Sequence, residues 1–82
     1  MDNMINRIQR AMSDPDHWVV EIKYRDAKGN LTQRTVSPIR FLTGERILAL
    51  CLSRQEPRQF YINRCENVEL KLASDVLITA FA

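Results

Sequence analysis

Six of the twelve basic side chains lie between positions 34 and 64, and all six are arginines: Arg34, Arg40, Arg46, Arg54, Arg58 and Arg64. With only Glu45 and Glu56 to offset them, this segment carries +4, and since the whole chain carries +2 the remainder stands at −2. An arginine presents a planar fork of donors that matches carboxylates and phosphates two bonds at a time, as lysine does not. The segment therefore points to an anionic partner, although arginines at alternate positions of exposed strands can also be no more than solvated. Tyr61 opposes Phe60 and Ile62 in the local alternation, which puts it on an exposed side beside Arg58, where its ring could stack on a base.

Other reactive groups carry less. His17 sits beside Asp16, but no Gly-x-Ser-x-Gly turn supplies a nucleophile, so the histidine reads as a surface residue. Glu66 and Glu69 are three apart on a strand, on opposite faces, and form no acid–base dyad. Cys51 and Cys65 lack metal-type spacing and read as buried thiols. There is no phosphate-binding glycine loop, dinucleotide fingerprint or metal-ligand cluster, so the sequence implies no cofactor and no catalysis.

These side chains need elements to position them. Met4 or Ile5, Ile8, and Ala11 or Met12 make one apolar stripe, which predicts an amphipathic helix over about residues 2–12, capped by Asp2 or Asn3 and stopped before Pro15. Trp18, Val20, Ile22 and Tyr24 then alternate with Val19, Glu21, Lys23 and Arg25, a half-buried strand. The Asp26 to Asn30 loop returns the chain as a second strand from Leu31, forming an antiparallel hairpin in which Pro38 must fall at an edge, bulge or bend. The run Ile47 to Leu52 is unbroken and predicts a central strand covered on both faces. Arg58 to Asn63 and Val68 to Leu72 supply two more strands, and Ser74 to Phe81 reads as a short helix or a further strand.

A chain of 82 residues with 45% hydrophobic and 27% charged side chains makes one small domain over residues 1–82, since it has too much to bury for a disordered tail and too little length for two cores. About five short strands leave unpaired edges as an open sheet, so a small twisted barrel is the expected closure. No apolar run is long enough to span a membrane and the amino terminus lacks a signal-peptide core, so no membrane role is expected and the cytoplasm is the expected compartment.

From Tyr24 to Arg64 the order of residues resembles a WYL domain, a small Sm-like or SH3-like barrel common in bacterial transcriptional regulators. The resemblance rests on Tyr24 at a strand end, Gly29 in a turn, Thr32 with Arg34 and Pro38, the apolar strand Leu48 to Cys51, and Arg58, Phe60 and Arg64. It implies a mainly β fold: a five-stranded Sm-like or SH3-like barrel preceded by one short helix. It also implies a non-enzymatic regulatory module whose basic pocket takes an anionic ligand, a nucleotide or single-stranded nucleic acid. Arg34, Arg58 and Arg64 are the matching positions. Glu45-Arg46-Ile47 stands where the family has Trp-Tyr-Leu, so Arg46 could replace stacking with a charge contact, or the pocket could be lost in favour of protein–protein contact. Family members that regulate transcription carry a helix-turn-helix domain before the barrel. This chain has one short helix there, and is expected to act through a separate helix-turn-helix regulator or by self-association.

Overall fold

The fold is described from a computed structural model over residues 3–76. A helix, α1 (Met4–Ser13), precedes five strands: β1 (Trp18–Arg25), β2 (Leu31–Leu42), β3 (Arg46–Cys51), β4 (Glu56–Tyr61) and β5 (Cys65–Leu72). A single 3-10 turn, Ile62–Arg64, separates β4 from β5. All pairings are antiparallel and the sheet order is β4-β3-β2-β1-β5. The chain meanders outward from β1 to β4, then returns to lay β5 on the free side of β1.

Local chemistry explains the elements. The Asn3 side chain accepts the Asn6 N–H at 2.9 Å and so caps α1, which at ten residues needs tertiary support. Ile8 and Ala11 supply that support, buried against β1, β2 and β5. Pro38 sits beside a bulge in β2, beyond the last β1–β2 pair at Val36, so its missing N–H interrupts no ladder.

Two expectations need correction. The central strand is β2, not β3, and β3 alternates: Ile47, Ala49 and Cys51 are buried while Leu48 and Leu50 are only half-buried, because the outer face of β3 has no layer over it. The sheet is also not closed, since β4 and β5 are its two ends and no ladder joins them. The expected barrel is present only as an open five-stranded sheet. Residues 73–76 form a helical turn, and the rest of the predicted helix or strand through Phe81 lies outside the described residues.

The open sheet is nevertheless strongly curled. In a flat sheet β1 and β4 would lie three spacings apart, roughly 14 Å. Yet the Tyr24 and Phe60 rings meet edge-to-face with centroids 5.1 Å apart, and the Tyr61 N–H donates to Tyr24 Oη at 3.0 Å. The concave side so formed holds the core of Val20, Ile22, Val36, Ile47, Ala49 and Val68, closed by α1.

Removing the hydroxyl with Tyr24→Phe leaves the Tyr61 N–H without its acceptor and should cost about 1–2 kcal/mol, whereas Tyr24→Ala should cost about 3–5 kcal/mol. Urea denaturation of the two variants checks this; equal stability of Tyr24→Phe and the native chain would contradict the bridge.

Candidate functional site

Strand parity divides the five candidate residues between two faces. Arg34 pairs in register with Ile22, and Arg58 with Ala49, so both point to the concave side that carries the core. Arg46 is the cross-strand partner of Tyr61, and both point to the convex side. Arg64 leaves the 3-10 turn and lays its guanidinium over the Tyr61 ring, 5.1 Å from the centroid. The expected neighbourhood of Tyr61 and Arg58 is therefore not formed. They are three apart on a strand, and odd separations reverse the face.

On the concave side Arg34 is only half-buried. Its Nε donates to Thr32 Oγ1 at 3.2 Å and its guanidinium lies 5.9 Å from the Phe60 centroid, a cation–π contact that lets a charge sit at the edge of the core. No carboxylate lies within ion-pair distance of Arg34 among the described residues. Arg58 differs, because its Nε reaches Glu56 Oε1 at 3.3 Å. Phe60 is buried, so it seats Arg34 from below and offers no free face to a ligand.

On the convex side Tyr61 is 43% exposed. Arg46 is anchored rather than loose, with Nε donating to Thr43 O at 2.9 Å and Nη1 to Gln59 Oε1 at 2.8 Å. Among the described residues neither Arg46 nor Arg64 has a carboxylate partner, since Glu66 is taken by Arg25 and Glu69 by Lys71. The Arg25 guanidinium holds the Glu66 carboxyl below its ordinary range. Arg64, Asn63 and that ion pair border a groove of about 320 Å³ against the Asp26 to Gly29 loop. Arg25 and Asn63 were not legible as site residues, because Tyr61 to Arg64 reads as continuing strand and the turn that brings them together has no sequence signature.

The two thiols are buried and unpaired with each other. Burial pushes Cys65 up to about 11. Cys51 is pushed up by burial, but the Ser53 hydroxyl, the Ser53 and Arg54 backbone N–H groups and the Arg34 charge outweigh it and lower its value overall. His17 lies on the surface with Nδ1 3.0 Å from the Asp14 carboxylate, not Asp16, and that contact raises its value. Among the described residues no three His, Cys, Asp or Glu side chains are grouped to hold a metal, and no helix is long and apolar enough to cross a membrane.

Because the folded Cys65 thiol ionises near 11 and an unfolded one near 9, raising the pH through that interval ionises only the unfolded chain and weakens the fold. The native chain should lose stability from about pH 9 to 11 relative to Cys65→Ala, as measured by urea midpoints at each pH; parallel pH profiles would contradict the assignment.

The family model described as WYL domain matches residues 3–70. No curated protein matches the chain.

Proposed function

This chain belongs to the WYL domain family, whose members act as regulatory, ligand-sensing modules, and on that premise we propose that its convex arginine surface recognises an anionic ligand bearing a base, a nucleotide or single-stranded nucleic acid. One observation carries this reading. Arg64 is stacked on the exposed Tyr61 ring without a carboxylate partner among the described residues, and the anchored Arg46 stands on the same face. A phosphate meets two guanidinium groups there, and a base displaces or joins Arg64 on the ring. Arg34 and Arg58, on the concave side, contribute only to a ligand long enough to turn the β4 edge.

In this reading the curled sheet works as an incomplete barrel of the Sm-like or SH3-like kind. The domain is non-enzymatic and acts in the cytoplasm, passing its bound state to a helix-turn-helix regulator of transcription. A second reading, a protein–protein module, draws support from Glu45-Arg46-Ile47 in place of the family triplet and from the Glu56 partner on Arg58.

Fluorescence titration with a short single-stranded oligonucleotide and with a cyclic dinucleotide tests the proposal. Two contacted phosphates predict an affinity that falls roughly sevenfold between 50 and 200 mM salt. Tyr61→Leu should weaken binding about tenfold or more, since one stacked base is worth roughly 1–3 kcal/mol. No binding of either probe at low salt, or equal binding by an Arg46→Ala, Arg64→Ala double variant, would overturn it.

A further inference from the structure

The two ends of the open sheet are not equivalent. The Ile62 N–H donates to Glu45 O at 2.8 Å, which sets the alternation along β4 so that Arg58 and Phe60 bond to β3 while Pro57, Gln59 and Tyr61 face outward. Pro57 has no N–H to offer, and that of Tyr61 is taken by Tyr24 Oη. The β4 edge is thereby blunted against another strand.

At the other end the Ala73 N–H donates to His17 O at 2.8 Å, which sets Glu69 and Lys71 toward β1 and turns the backbone groups of Val68, Leu70 and Leu72 outward. No proline interrupts this row. Arg7 donates to Val68 O at 2.8 Å, and a carbonyl retains a second lone pair. The side chains along β5 are also self-complementary. A two-fold axis through Leu70 sets Leu70 against itself and Val68 against Leu72, so every outward-facing group meets another. The same axis sets Glu69 of one copy against Lys71 of the second. These two side chains are about half exposed and, within one chain, pair with each other at 3.4 Å. Leu72, 45% exposed on the concave side, gains cover from the second copy's Val68 row.

We propose that β5 is a homodimer interface, in which two copies join their sheets by antiparallel pairing of Val68 to Leu72 about a two-fold axis at Leu70. The occupant of this edge is a second copy because, of the two-fold arrangements that keep the ladder, the one with its axis at Leu70 sets each Glu69 opposite the other copy's Lys71, beside the pair the two make within one chain. A one-residue slip in register would set inward-bonded groups against the partner and break the ladder, and moving the axis to Glu69 or Lys71 would keep the ladder but set like charges directly opposite each other.

Sedimentation over a range of concentrations, with matched circular dichroism, tests this. The native chain should reach a dimer. Glu69→Lys places like charges across the axis at two symmetric positions and should weaken dimerisation about tenfold or more, while the Glu69→Lys, Lys71→Glu double variant should restore it. Independently of any variant, amide exchange at Leu70 and Leu72 should slow as concentration rises. A native chain that stays monomeric at millimolar concentration, a dimer indifferent to Glu69→Lys, or exchange at Leu70 independent of concentration would each overturn the proposal.

Discussion

The fold depends on one side chain that crosses its own sheet. Tyr24 leaves β1, passes over the concave face and meets β4, three strands away, with its ring edge on Phe60 and its hydroxyl on the Tyr61 N–H. Five antiparallel strands in the order β4-β3-β2-β1-β5 have no ladder to close them. What bends them is burial: curling brings the apolar rows of β1, β2 and β3 around a common centre, and α1 covers what remains. The tyrosine is suited to this place because its body is apolar and its tip is a hydrogen-bonding group that satisfies a backbone donor at an otherwise bare edge.

Strand parity sorts the arginines and the curl braces one of the two sets. Phe60 is held by Tyr24 on its edge, and this leaves it in place to seat the Arg34 guanidinium, so a charge on the concave face rests on an aromatic ring instead of facing open core. Tyr61, next in the chain, turns to the convex face and carries Arg64 there. A segment that is net basic in sequence becomes two surfaces, one braced from inside and one exposed. The family to which the chain belongs is one of regulatory, ligand-sensing modules, and the proposed anionic, base-bearing ligand would rest on the convex surface, where the Tyr61 ring is exposed and Arg64 has no carboxylate partner among the described residues.

Period and punctuation made most of the elements legible in the sequence. The α1 stripe, the two-residue alternation of β1, the hairpin at Gly29 and the bend at Pro38 all follow from side-chain spacing and backbone stereochemistry, which act locally. What was not legible depends on neighbours far along the chain. The run Ile47 to Leu52 looks buried on both faces because hydrophobicity alone does not reveal whether a second layer exists, and here Leu48 and Leu50 lack one. The 3-10 turn at Ile62–Arg64 hides within an alternating pattern, and it alone brings Asn63, Arg64 and the Arg25–Glu66 pair to one groove. The expectation that Tyr61 stands beside Arg58 fails on parity, since an odd spacing on a strand reverses the face.

The curl is the claim on which the closure of the concave side and the seat of Arg34 stand, and through-space proton contacts in solution measure it most directly. With aromatic-selective labelling, the account predicts nuclear Overhauser cross-peaks between the Tyr24 and Phe60 rings and between the Arg34 side chain and Phe60, and none between Arg58 and the Tyr61 ring. A spectrum without the Tyr24 to Phe60 peaks, as a flat sheet with those strands roughly 14 Å apart would give, would contradict it.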